Sequence, residues 1–165
     1  MSYFNVNDAL TANDISCEIL KKYGKEAPIL VCLGSSKVVS DMAGVLVADI
    51  LKNRRANIIV FGGSKRNMDK TQAKYIAKYI DTSRLLFIDS GLLSSENKIA
   101  VSPVLKLNDG SVVSSNSIIA GTVQMKDNEI KLASITLNEV LNYAKVIADG
   151  VCDYLSYLEL LNNTN

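Results

Sequence analysis

The chain of 165 residues has the length of one ordinary domain, and an apolar share of 48% supplies the side chains for a substantial core. Its 18 basic and 17 acidic residues leave a net charge of +1, too little to hold a phosphate polymer or an anionic membrane, so neither nucleic acid nor a membrane is an expected partner. Histidine is absent, which excludes Ser-His-Asp and Cys-His catalysis within the chain and removes the commonest transition-metal ligand.

The opening segment MSYFNVNDALTANDIS is polar and acidic, unlike a secretory signal, and no apolar run reaches the length of a membrane span; the expectation is a cytoplasmic protein. Cys17, Cys32 and Cys152 lack C-x-x-C spacing and read as buried thiols.

Periodicity predicts a first helix from about Asn7 to Tyr23, with Ile15 and Ile19 turned inward. After Pro28 the run ILVCL reads as a central strand covered on both faces. A helix from about Asp41 to Asn53, a second strand in NIIVFGG, a helical pattern over Arg66 to Ile80 and a third strand in RLLFIDSG follow. The rhythm then breaks: KIAVSPVLKL and SIIAGTVQM read as strands open to antiparallel pairing, with NDGSVVSS as a turn or loop between them. Thr136 and Glu139 form a T-x-x-E capping box that starts a long final helix, and Tyr154, Tyr157 and Leu158 on it fit either the core or a surface for a homo-oligomer. The whole, residues 1–165, reads as a single α/β domain with a frayed tail from about 162.

Two acids are candidates for chemistry. In a doubly wound sheet the first and third strands commonly flank the point where strand order reverses, and ligands bind there. Asp41 follows the first strand and Asp89 ends the third, so an order second-first-third would bring both to one opening. Adjacent strands lie about 4.8 Å apart, close enough for a carboxylate pair in which one member keeps a proton while the other acts as a base, or in which both hold a divalent metal. Against this stands a simpler reading: Asp41 caps a helix and Asp89 makes a local turn. GSSKVVSD has neither the glycine-lysine pair of a phosphate loop nor G-x-G-x-x-G, which argues against nucleotide. Gly62-Gly63-Ser64 reads as a turn closing the second strand, and Asp109-Gly110 as a turn rather than an additional site acid.

The segments VCLGSSKVVSDMAGVLVADIL, VFGG, LLFIDSGL, KIAVSP and NEVLNYAKVIADGV, in that order over residues 28–152, resemble the YyaC-type sporulation proteins. These are relatives of the spore germination protease and, more distantly, of the hydrogenase maturation endopeptidases. The resemblance implies a three-layer α/β/α sandwich with a mostly parallel sheet, phosphorylase/hydrolase-like in the manner of the hydrogenase maturation proteases. It also implies a catalytic acid-base role for Asp41 of DMAG and Asp89 of IDSG, a peptide or spore protein, such as a small acid-soluble spore protein, as partner, and a location in the developing spore or mother cell. The nickel-recognising role of the hydrogenase relatives does not carry over, because it uses a histidine. Val45 stands where the pattern usually has proline, Ser36 where it tends to have an acid, and the region around Asn108-Asp109-Gly110 is altered, which touches substrate recognition more than fold.

The expected substrate-binding rim is Gly34, Ser35, Ser36 and Gly44 on one side and Ser90 and Gly91 on the other, with backbone N–H groups stabilising an oxyanion. No cofactor is required; a divalent metal, if used, would sit on Asp41 and Asp89. Two alternatives remain: a non-catalytic sporulation protein binding a peptide or protein in the same cleft, and a flavodoxin-like module for a small molecule or nucleotide.

Overall fold

The structure, a computed structural model, describes residues 1–93, 97–126, 129–131 and 135–163. In chain order its elements are β1 (Ser2–Asn5), α1 (Thr11–Tyr23), β2 (Ile29–Cys32), a 3-10 turn (Val39–Asp41), α2 (Ala43–Asn53), β3 (Val60–Phe61), α3 (Lys70–Tyr79), a second 3-10 turn (Thr82–Arg84), β4 (Leu85–Leu92), β5 (Lys98–Ser102), β6 (Leu105–Lys106), β7 (Val112–Val113), β8 (Asn116–Lys126), β9 (Glu129–Lys131) and α4 (Leu137–Asn163). The fold class is α/β. One mixed sheet runs β1-β5-β8-β4-β2-β3, with β9 added to β8, and a separate hairpin pairs β6 with β7.

The strands β8, β4, β2 and β3 are mutually parallel, while β5, and β9 in turn, run antiparallel to β8. The expected second-first-third order is therefore present as β3-β2-β4. All four residues of β2 are buried, as the unbroken ILVC run requires of a strand with both faces covered.

Alternation along the strands feeds two apolar clusters. Leu30, Cys32, Leu86, Ile88, Ile118 and Ala120 pack with Ile15 and Ile19 of α1, Val47 and Leu51 of α2, and Val140, Ile147, Val151 and Tyr154 of α4. The intervening residues Ile29, Val31, Leu33, Leu85 and Phe87 pack with Met68, Ala73 of α3 and Leu105, Leu107 and Val113 around the small hairpin. Tyr154 and Leu158 belong to the core, and Tyr157 is the exposed member of that trio. Burial pushes the Cys32 thiol up to about 12, whereas Cys17 and Cys152 are only partly buried; all three are free.

Several boundaries differ from the sequence reading, among them the start of α2, which moves from Asp41 to Ala43, and the expected NDGSVVSS loop, which contains β7. The first helix does not begin at Asn7: Ser2–Asn5 is a strand that pairs with β5 from Ser2↔Val101 to Asn5↔Lys98, and α1 starts at Thr11 after a turn in which the Asp8 carboxylate accepts the Leu10 N–H. The KIAVSPVLKL segment breaks at Pro103, which has no N–H for a ladder, into β5 and β6. α4 continues through Asn162 and Asn163, and the rest of the expected frayed tail lies outside the described residues. Among the described residues no helix is long and apolar enough to cross a membrane.

Candidate functional site

The parallel strands β2 and β4 stop hydrogen-bonding to each other at Cys32↔Ile88, with one further bond from Leu33 N–H to the Ile88 carbonyl. Past that point the chains separate. Gly34, at φ 134°, turns away and donates its N–H to the Met68 carbonyl, and the Ser35 N–H returns to the backbone carbonyl of Asp41. A Cβ on Gly34 would stand 2.0 Å from that same Asp41 carbonyl oxygen, so glycine is what allows the 3-10 turn carrying Asp41 to fold back onto the strand end. Gly44 has the same function one turn later: its Cβ would lie 2.2 Å from the Leu33 carbonyl oxygen and 2.8 Å from that of Ile88. The spacing Asp41-x-x-Gly44 is thus a packing device that seats the start of α2 on the ends of β2 and β4. From the far side, the buried Thr122 of β8 donates its hydroxyl to the Ser40 carbonyl at 2.6 Å and fixes the turn against the sheet.

Asp41 is not a helix cap. It ends the 3-10 turn, the N-cap residue Met42 makes no side-chain cap bond, and the first free N–H of α2, on Ala43, is taken instead by Ser90 Oγ at 3.3 Å. Asp89 does not end its strand either, because β4 continues to Leu92; a register shift against β8 between Ser90 and Leu92 marks the place where the ladder is disturbed. Asp89 is 5% exposed, its Oδ1 accepts the Ser90 N–H at 2.9 Å, and its Oδ2 lies 3.0 Å from Lys70 Nζ.

Both carboxylates open onto one cleft of about 210 Å³, lined also by Gly34, Ser35, Met68, Asp69, Lys70, Ser90 and Asn108. Lys70, Asp89 and Ser90 are shared with an adjoining groove of about 360 Å³ that adds Gly91, Leu92, Val104, Leu105 and Ile119. Loss of hydration holds the Asp41 carboxyl above the usual carboxylate range, the negative Asp89 adds to the shift, and the Ser35 N–H and Lys70 oppose it. Burial likewise raises Asp89, with Lys70 and the Ser90 N–H pulling the other way. The third acid of the cleft, Asp69, is occupied in a capping box: its Oδ1 accepts the Gln72 N–H at 2.8 Å, and Gln72 Oε1 accepts the Asp69 N–H at 2.9 Å.

Of the anticipated rim residues, Gly34, Ser35 and Ser90 line the cleft and Gly91 lines the groove. Gly44 is a spacer beneath it. Ser36 is exposed, outside the lining, with its hydroxyl 3.1 Å from the Asn67 carboxamide. The N–H groups of Gly34, Ser35 and Ser90, expected to stabilise an oxyanion, are each already donated to an oxygen of the protein itself. Ser64 N–H is tied to the Asp49 carboxylate on α2, and Asp109 pairs with Lys74 at 2.8 Å and accepts the Ser111 N–H, so neither Ser64 nor Asp109 lines the cleft, and the Asp109 turn reaches it only through Asn108. For a divalent cation the two carboxylates supply hard oxygen donors, but Lys70 already stands on Asp89, and among the described residues no group of three potential ligands gathers.

Sequence reasoning missed Lys70. It is the first residue of α3, where the positive end of the helix disfavours a cation by about 0.3–1 kcal/mol, and a lysine placed there directly after a capping aspartate is a signal that something else holds it. A separate cavity of about 270 Å³ lies at the opposite ends of β4 and β8, beside Tyr23 and Asn116. It contains no aspartate.

The architecture and the paired acids can now be set beside known proteins. The chain belongs to the family described as protein of unknown function (DUF1256). The family model matches residues 2–150, from β1 through most of α4, so the whole strand order and both cleft acids of this DUF1256 protein fall inside it. No curated protein and no solved structure matches the chain.

Proposed function

We propose that this DUF1256 protein is an aspartate-dependent endopeptidase-like protein, kin to the YyaC-type sporulation proteins and the spore germination protease, that acts on a small acid-soluble spore protein or another spore protein. The observation that carries the reading is the convergence of Asp41 and Asp89 on one cleft at the ends of two adjacent parallel strands, each carboxyl held above its usual range. A three-layer, hydrolase-like arrangement fits the two apolar clusters fed from alternate strand residues.

Hydrolysis of an amide by such a pair needs no histidine. The ionised carboxylate takes a proton from water as its oxygen attacks the carbonyl carbon; the protonated carboxyl gives its proton to the carbonyl oxygen; collapse returns that proton to the carboxylate and passes the first one to the departing amine. Because the nearby backbone N–H groups of Gly34, Ser35 and Ser90 are committed elsewhere, stabilisation of the developing negative oxygen rests on the acidic proton and on the Lys70 ammonium.

The test is incubation of the full chain with a disordered small acid-soluble spore protein, followed by mass spectrometry. Cleavage at defined bonds, reduced at least about 100-fold in both Asp41→Asn and Asp89→Asn, is the expected result. The engagement of Asp89 by Lys70 also favours a second reading, a cleft that binds a peptide without cutting it. Intact substrate retained with measurable affinity would replace the peptidase by that binding protein.

A further inference from the structure

Two aspartates sharing a cleft are chemically useful only if they differ, and what makes them differ is a third side chain. We propose that Lys70 is the positioning residue that makes the pair unequal: its ammonium keeps Asp89 ionised and directs the proton of the pair to Asp41. This rests on the acid-pair reading above and assigns the individual roles that the reading leaves open.

The geometry of Asp89 is one-sided. Both of its oxygens face donors, Oδ2 toward Lys70 Nζ at 3.0 Å and Oδ1 toward the Ser90 N–H at 2.9 Å, and the carboxylate is nearly out of contact with solvent. A buried carboxylate engaged in this way is held in its charged form by the cation, and removing the cation would leave it to take up a proton. Asp41 has no ion-pair partner among the described residues; burial and the negative Asp89 penalise its charge, and the Ser35 N–H and Lys70, which is not in salt-bridge contact with it, offset only part of that. Two carboxylates facing one small cleft resist double ionisation, so a proton that enters the pair goes to the member that lacks a direct ion pair.

The lysine is aimed by its backbone. Lys70 opens α3 immediately after Asp69, whose reciprocal bonds with Gln72 fix the first turn, and Ala73 of the same helix is fully buried against the sheet. The side chain is 28% exposed, so most of its surface is enclosed where it meets Asp89. The other charged groups facing the pair do not compete: Asp69 is held by its own cap, and Lys106 of β6 lines the adjoining groove and makes no ion pair with either acid.

In this arrangement Asp89 is the base toward water and Asp41 the acid toward the carbonyl oxygen. The assignment can be tested without any substrate, by following the aspartate side-chain carboxyl carbons of the intact chain by NMR between pH 2.5 and 8, with Asp41→Asn and Asp89→Asn spectra to assign the two signals. In the wild type Asp89 is expected to titrate below Asp41. In Lys70→Met the Asp89 midpoint is expected to rise by at least about one pH unit, a tenfold change in its proton affinity, so that the order of the two midpoints closes or reverses. Lys70→Arg should retain the wild-type order, and Lys74→Met, which removes the surface partner of Asp109 on the same helix, should leave both midpoints in place.

An Asp89 midpoint unchanged in a Lys70→Met protein with a native amide spectrum would overturn the proposal, as would an equal shift in Lys74→Met. Should Lys70→Met fail to fold, Lys70→Gln and Asp89→Asn supply the same comparison: loss of Asp89 charge should lower the Asp41 midpoint, and its persistence would count against a shared proton. Absence of peptide cleavage leaves these titrations standing, while unaltered titrations leave the cleavage assay standing, so each idea fails separately.

Discussion

A carboxylate that loses hydration and has no cation in direct contact is penalised in its charged form, and Asp41 is in that position, with Lys70 offsetting only part of the cost. Its folded-state affinity for a proton exceeds that of the unfolded chain, where an aspartate titrates near about 3.9. Between those two values the folded state binds more protons than the unfolded one, so stability falls as pH rises through that window. Asn has the same outline without the charge. Asp41→Asn should therefore raise Tm at pH 7.5, on the order of 2 °C because the half-buried side chain is still partly screened by water. The gain should shrink as pH drops through about 4, where the carboxyl of the unfolded chain takes up its proton as well. Thermal unfolding followed by circular dichroism across pH 3.5 to 7.5 measures this directly; a variant less stable than wild type at pH 7.5, or a gap indifferent to pH, would contradict the account.

Elements formed where a local signal and a tertiary partner agreed. α4 is the clearest: Glu139 Oε2 accepts the Thr136 N–H at 2.7 Å while Thr136 Oγ1 accepts the Glu139 N–H at 3.3 Å, and the apolar positions behind that box face α1 and α2. Thr136→Ala removes one half of the box and should cost about 1 kcal/mol, or roughly 2–4 °C in Tm for a chain of this size. Urea unfolding of Thr136→Ala and Glu139→Ala side by side checks it, since two halves of one box should lose similar amounts. Asp69 and Gln72 form the same kind of box, and reading it would have placed the start of α3 at Lys70 rather than Arg66. Shorter pieces were less legible for a physical reason. Ser2–Asn5 is a strand only because β5 offers an edge, and β6 and β7 are two residues each, stabilised by each other and by Leu105 and Val113 in the core. No four-residue window carries that information.

On the scale of the whole molecule, the site is a meeting of parts from both faces of the sheet. Asp41 arrives on the side of α2, Lys70 on the side of α3, and Asp89 lies on the strand between them. The two aspartates were readable because strand alternation and right-handed crossovers constrain where successive strands lie. Lys70 was not, because its ion pair depends on how α3 docks, which no spacing along the chain encodes. The same dependence makes the docking of α2 a test of the whole assembly. A Cβ on Gly44 would meet the backbone of Leu33 and Ile88, atoms that cannot rotate aside, so α2 and its preceding turn would have to lift from the strand ends. In an isolated helix Gly→Ala gains about 1 kcal/mol; here Gly44→Ala should lose at least about 2 kcal/mol in spite of that gain. The loss should be accompanied by a change at the site itself, because lifting the turn carries Asp41 toward water and away from Asp89. Its NMR midpoint should then fall toward the ordinary aspartate value while Asp89, held by Lys70 from the other face, keeps its own. A Gly44→Ala chain as stable as wild type with an unaltered Asp41 titration would mean that α2 can shift without disturbing the pair, and that the close seating of Gly44 is not what assembles the cleft.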